Sequence, residues 1–185
     1  MNVHALTPLE LAQACGLASR LFPWEVEHQT ALAAALAPAE HASFLADRAL
    51  RRVRAWAAGD GARVDGLVTF YEYWEPGDEL WLAWFGLAPG ARGKGQGAAL
   101  LDWAIALARS EGRTALRLWT TIEEEYAPAL KLYASRGFFP ELLPPAVGED
   151  WQTVVLTLPL GPACCPWSVR YSGRTLCGRV VPVAA

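Results

Sequence analysis

The densest run of chemically suggestive residues is Arg92-Gly93-Lys94-Gly95-Gln96-Gly97. Glycine at alternate positions permits left-handed backbone angles and lets a ligand approach with no Cβ in the way. The apolar pattern from about Ala98 to Ser110 predicts an amphipathic helix immediately after it. Such a loop exposes backbone N–H groups at the positive end of a helix, and Arg92 and Lys94 add charge. A phosphate or pyrophosphate fits there. Taken alone, the same run also fits an ordinary glycine-rich turn. A P-loop is excluded, because Ala98-Ala99 stands where Lys-Ser/Thr would be needed. Gly93-x-Gly95-x-x-Ala98 satisfies a dinucleotide pattern, with Glu123 as a ribose-binding acid, but the strands expected before it have the wrong topology.

Those strands follow a helical N-terminal part. Val3–Leu6 reads as a short strand, and Thr7-Pro8-Leu9-Glu10 as a capping box with proline in the first turn. Helices are predicted over Pro8–Leu21, Trp24–Ala37 and Pro38–Leu50. Val53–Ala57, Val64–Trp74 and Leu80–Leu87 are strands, separated by the turn signals Gly59-Asp60-Gly61 and Pro76-Gly77-Asp78. They predict an antiparallel meander with its third strand buried on both faces. Leu80–Leu87, the glycine loop, the helix and a strand at Ala115–Thr120 form a βαβ crossover, so these two strands should be parallel. A helix over Pro128–Arg136, ended by Gly137, and a strand over Trp151–Leu158 complete the pattern. The fold class is α/β with a mixed sheet: one domain over residues 1–160, then a C-terminal extension, 161–185, of unassigned structure.

Composition narrows the function classes. The 185 residues are 53% hydrophobic and 19% charged, which argues against disorder. A net charge of −3 removes the electrostatic case for a nucleic-acid partner. No apolar run reaches bilayer length and the N-terminus lacks a signal-peptide pattern, so a cytoplasmic location without a membrane partner is expected. Cys15, Cys164, Cys165 and Cys177 form no Cys-x-x-Cys pair and the three histidines lie apart, so no metal is expected. Nine tryptophans promise a large aromatic core or a lined cleft.

The run Arg92–Gly97, with Leu87-Ala88-Pro89 before it, resembles the Arg/Gln-x-x-Gly-x-Gly/Ala signature of the GNAT superfamily of N-acetyltransferases. Ala129–Phe138 resembles that family's second block, Ala-x-x-x-Tyr-x-x-x-Gly-Phe. The resemblance is strong over Val53–Phe138, weaker over the N-terminal helices, and ends near Leu160. It implies a GNAT-like acyl-CoA N-acyltransferase fold and acetyl-CoA as cosubstrate. The backbone of Phe85, Gly86 and Leu87 would bond the pantetheine arm, and Gly93, Lys94, Gly95, Gln96, Gly97 and Ala98, flanked by Arg92, would cradle the pyrophosphate. Leu87 would also polarise the thioester carbonyl. Tyr133 would protonate the departing thiolate, and Tyr126 stands where the family's asparagine contacts CoA. Thr121 occupies the place of a common glutamate, so the base is open: Glu79 is the leading candidate, with Glu72 and the run Glu123–Glu125 also considered.

The implied enzyme transfers acetyl from acetyl-CoA to a primary amine by direct attack in a ternary complex. The alternative is a non-catalytic or weakly catalytic CoA-binding module. The acceptor would be a small-molecule or peptide amine, and a homodimer is allowed. The expected cleft borders carry Glu25, Glu27, Glu72, Glu75, Asp78, Glu79, Glu123, Glu124, Glu125, Glu149 and Asp150 with no arginine or lysine in those stretches, which favours a cationic acceptor. His28 could reach the same cleft from the second helix.

Overall fold

The computed structural model describes residues 2–60, 62–145, 149, 151–176 and 179–183, so Gly61, Asp150 and Cys177 lie outside the described residues. The elements are β1 (Asn2–Ala5), α1 (Leu11–Leu21), α2 (Glu27–Leu36), α3 (Ala42–Asp47), β2 (Leu50–Gly59), β3 (Val64–Tyr73) and β4 (Glu79–Leu87). They continue with α4 (Gln96–Ser110), β5 (Ala115–Thr121), α5 (Ala127–Ala134), β6 (Phe139–Leu143), β7 (Thr153–Pro159), α6 (Trp167–Arg170), β8 (Thr175–Leu176) and β9 (Arg179–Val180).

The capping box forms as expected: Glu10 Oε2 accepts from both the N–H and the hydroxyl of Thr7, over a short 3-10 turn that feeds α1. The second and third helices are shorter than their apolar patterns suggested. Pro23 and Pro38 sit in turns outside them, because proline cannot supply an interior helical N–H. Strand β6 was not anticipated from sequence. Phe139-Pro140-Glu141-Leu142-Leu143 is an edge strand, where proline is tolerated, and its side chains are mostly exposed.

Seven strands make one sheet in the order β1-β2-β3-β4-β5-β7-β6. Among the described residues the only parallel pair is β4·β5, joined by the α4 crossover, and the other neighbours are antiparallel. The mixed α/β class and the meander are therefore as expected. Each face carries its own apolar cluster. Helices α1–α3 pack on one face with Leu17, Leu32, Tyr71 and Trp84; α4 and α5 pack on the other with Leu100, Ala104, Leu118 and Tyr133.

The C-terminal extension packs into the first cluster. Trp167 and Tyr171 are fully buried, and the Tyr171 ring meets Trp81 edge-on at 5.2 Å. Trp81 Nε1 donates to the Tyr171 hydroxyl at 2.5 Å, which in turn donates to Glu79 Oε2 at 3.1 Å. Arg117 closes this group with two bonds to Glu79, at 2.7 and 2.8 Å, and one to the Cys165 carbonyl at 2.6 Å. A buried cation and anion paired in this way anchor the tail to the middle of the sheet.

Candidate active site

The site begins where β4 and β5 stop pairing. Their ladder covers only Glu79↔Ala115, Leu80↔Leu116 and Trp81↔Arg117, although both strands continue. The cause lies on the other edge of β4. Between Val68↔Phe85 and Phe70↔Leu82 the register shifts by one, so β4 carries an extra residue there. The Thr69 hydroxyl holds this bulge, accepting the Trp84 N–H at 2.7 Å and donating to the Trp84 carbonyl at 3.3 Å. A bulge bends its strand, and beyond it β4 diverges from β5.

Beyond the bulge, the backbone direction follows from the register. Ala88 N–H donates to the Asp65 carbonyl at 2.8 Å, so these residues form a hydrogen-bonded antiparallel pair. Alternation makes Leu67↔Gly86 another, while Leu87 and Phe85 lie between, with their N–H and C=O groups turned toward the gap. Phe85 and Leu87 thus present backbone to the opening. Gly86 does not, which corrects its expected role: its backbone is committed to β3. Its missing side chain serves packing, since a Cβ would stand 2.8 Å from Leu21 Cδ1.

The glycine loop sits at the mouth of the gap. Gly93 and Gly95 have φ of +77° and +75°, angles an L residue adopts only under strain, and nothing lies within 4 Å of a Cβ added at either. The first bond of α4 runs from Ala99 N–H to the Gly95 carbonyl at 3.0 Å. The N–H groups of Gln96, Gly97 and Ala98 therefore have no helical partner. Lys94 is exposed beside them. Arg92 is not the mobile charge its position suggested, because its Nε donates to the Leu87 carbonyl at 3.0 Å and ties the loop to the strand end. Free amides, a positive helix end and open space above two glycines are the features a pyrophosphate requires.

Tyr133, from α5, packs on the opposite side of the gap against Phe85 and Phe138, with ring centroids 6.3 and 5.6 Å away. Burial pushes its phenol well above the usual range, so the hydroxyl stays protonated at any ordinary pH.

On the other face of the sheet the divergence opens into a cleft of about 720 Å³. Ala83 and Trp84 of β4 and Trp119, Thr120 and Thr121 of β5 form its floor, and Phe22, Trp24, Tyr71, Tyr126 and Trp151 its walls. Four of the nine tryptophans thus line a cleft, and Trp81 and Trp167 fill the core. Sequence alone offered only the count as a signal. Tyr126, expected against the cofactor, instead lines this cleft beside Trp24. Burial, together with Glu125 and Glu123, raises its phenol. His28 is buried behind the cleft, its Nε2 3.0 Å from Ser19 Oγ and its ring edge-on to Trp84, where it supports the wall. Burial lowers its pKa.

The acids divide sharply. Glu25, Glu27, Glu123 and Glu125 line the cleft; among the described residues Arg48 is the one basic residue there, and Glu27 holds it through a double ion pair that includes a 2.9 Å bond. Other acids expected at the mouth are occupied elsewhere. Glu72 is 1% exposed and meets Arg51, Arg52, Arg54 and Arg113. Burial alone would raise its pKa, but the bonds to Arg52 and Arg51 and the charges of Arg54 and Arg113 hold it at about 2. Asp78 pairs with Arg170 and Glu75 with Arg174. Glu79 is buried between Arg117 and Tyr171 at the paired end of β4, within the part of the strand still laddered to β5. That position corrects the expectation that Glu79 is the base, since a carboxylate locked to a buried guanidinium cannot give up that contact to a substrate proton.

A sheet that parts beside a helix-capping glycine loop, with a tyrosine on one side of the gap and an aromatic cleft on the other, defines an acyl-CoA N-acyltransferase. A model of the GNAT acetyltransferase family matches residues 12–138, and the chain belongs to that family. Solved structures share the fold. A GNAT-family protein from Desulfovibrio desulfuricans superposes with a TM-score of 0.69 at 18% identity, covering 86% of this chain and 99% of its own. The ribosomal-protein-S18-alanine N-acetyltransferase of Escherichia coli gives 0.62 at 20% identity, covering 88% and 96%. The Salmonella typhimurium protein yncA, solved with its cofactor acetyl-CoA, gives 0.62 at 18% identity, covering 90% and 97%. Among curated proteins, none matches the sequence. Among the described residues, no helix is long and apolar enough to cross a membrane.

Proposed function

We propose that the protein transfers an acetyl group from acetyl-CoA to a primary, cationic amine by direct attack within a ternary complex. The observation that carries this reading is the divergence of β4 and β5, with the glycine loop following β4 and the aromatic cleft lined by the diverging parts of both strands. An activated acyl group and an amine could meet there without a covalent enzyme intermediate.

In this reading the amides from Gly93 to Ala98 bind the pyrophosphate, and the backbone of Phe85 and Leu87 holds the pantetheine arm in the place of the missing ladder. The Leu87 N–H stabilises the oxyanion as it develops. Tyr133 donates its proton to the leaving sulfur, a role its raised pKa suits because the phenol is protonated whenever a thiolate forms. The cleft's four acids against one neutralised arginine support an acceptor that carries positive charge, and its aromatic walls suit a cation as well. Free thiols at Cys15, Cys164 and Cys165 support a reducing, cytoplasmic setting.

Thiol release from acetyl-CoA tests the proposal, measured with spermidine, lysinamide, phenethylamine and glutamate as acceptors at two ionic strengths. Cationic amines should be acetylated faster than glutamate, with rates that fall as salt rises. Binding of CoA without thiol release for any amine would overturn the catalytic reading in favour of a binding module. A preference for glutamate would overturn the cationic acceptor.

A further inference from the structure

A primary amine of ordinary pKa is about one part in 10³ uncharged at pH 7, so an acetyltransferase must remove a proton before nitrogen can attack. With Glu79 and Glu72 committed to arginines, the group that does so must come from the cleft. Its four carboxylates are not equivalent. Glu27 is held by Arg48, and Glu25 and Glu125 lie exposed at the rim. Glu123 differs: its Oε2 is sealed from solvent and, among the described residues, has no hydrogen-bond donor. A buried carboxylate oxygen without a donor costs stability, and the missing donor calls for an explanation.

Position supplies one. Glu123 follows the last residues of β5, Thr120 and Thr121, which are paired to β7 on one side and face the divergence on the other. It precedes a 3-10 turn, Glu124–Tyr126, whose Tyr126 N–H bonds the Glu123 carbonyl at 2.9 Å and fixes the backbone there. Glu123 therefore lines the cleft just past the end of β5, on a backbone held by that turn.

We propose that Glu123 takes the proton from the acceptor ammonium, its carboxylate receiving an N–H that no group among the described residues supplies to Oε2. This rests on the acetyltransferase reading above. In the reaction, R–NH3+ gives one proton to the Glu123 carboxylate, which later loses it to solvent. The freed nitrogen lone pair forms the C–N bond to the thioester carbon, and the C–S bond breaks with its electron pair on sulfur. Tyr133 protonates the sulfur and regains a proton as the nitrogen sheds its second. The sum is R–NH3+ and acetyl-CoA going to the acetamide, CoA thiol and H+. The other titratable groups facing the cleft are Glu25, the Glu27–Arg48 pair, Tyr71 and Tyr73 of β3, and Glu125 and Tyr126 of the same turn.

The test compares wild type with Glu123→Gln, which keeps the side-chain shape, and with Glu124→Gln, an exposed neighbour outside the cleft. On the best amine of the panel, Glu123→Gln should lose about 10²-fold or more in kcat at pH 7 with KM for acetyl-CoA unchanged. The deficit should shrink as pH approaches 10, where free amine is abundant. Glu124→Gln should match wild type. Separately, tryptophan fluorescence titration with spermidine should show at least tenfold weaker binding to Glu123→Gln. Turnover within threefold of wild type, a deficit constant across pH, equal spermidine affinities, or no spermidine binding to wild type would overturn the proposal; where no amine turns over, the spermidine comparison decides. CoA binding by calorimetry separates the two readings: if it persists while Glu123→Gln behaves as wild type, only the role of Glu123 falls.

Discussion

Thr69 and Trp84 face each other across β3 and β4, and the threonine hydroxyl both accepts the Trp84 N–H and donates to its carbonyl. This one side chain satisfies both backbone groups of a residue that the bulge has taken out of the ladder. Thr69→Val keeps the shape and strands those groups in a buried place. The variant should lose roughly 1–3 kcal/mol of stability, and β4 should relax toward β5, weakening CoA binding about tenfold. Denaturant melts and calorimetry with CoA check both parts.

The glycine loop yields a contrast within one motif. Gly95 has φ +75°, so Gly95→Val forces strain and swings the following amides away, and CoA binding should disappear while the melt shows a fold intact. Gly97 differs, since an added Cβ would meet Leu87 and Leu132 at 3.7 and 3.9 Å, an ordinary packing distance. Gly97→Ala should therefore bind CoA within a few-fold of wild type, and a larger residue there should not. Unchanged affinity in Gly95→Val by calorimetry would remove the pyrophosphate site from the loop.

Tyr133→Phe keeps the contacts with Phe85 and Phe138 and removes only the hydroxyl. If the phenol protonates the leaving sulfur, kcat should drop about 10²-fold or more with CoA affinity almost unmoved. Because burial raises this phenol, the activity that Tyr133 supports should show no alkaline loss below about pH 10. Full turnover in the variant would leave the ring with a packing role alone.

Glu72 links acid stability to the arginine cluster. Its pKa falls from 4.5 in the unfolded chain to about 2 in the fold, so it binds fewer protons when folded. Its contribution is present above pH 4.5 and is lost as the pH falls from there toward 2, roughly 3 kcal/mol in all. Glu72→Gln should be less stable than wild type at pH 7 and should show a flatter decline across that window in thermal melts.

Much of this protein was legible in local pattern. The capping box, the alternation of β3, the glycine loop and the Ala129–Phe138 block each depend on residues a few positions apart, and they carried the meander and the crossover and put Tyr133 on a helix. The charge ledger was not legible in that way. Glu72, Glu75, Asp78 and Glu79 stand in stretches without a basic residue, yet Arg51, Arg52, Arg54, Arg113, Arg117, Arg170 and Arg174 reach them from strands, loops and helix α6, distant in sequence. Ion pairs form in space, so no count along the chain could assign them. The same holds for the tail, where Trp167 and Tyr171 find their partners only once Trp81 and Glu79 are set in the sheet. The bulge at Trp84 depends on a hydroxyl one strand away, and the cleft on aromatics drawn from six separate segments. Sequence determined the strands of the meander and the crossover, whose signals are local; the pairing of strands and charges across the sheet decided which carboxylates are tied to arginines and which line the cleft.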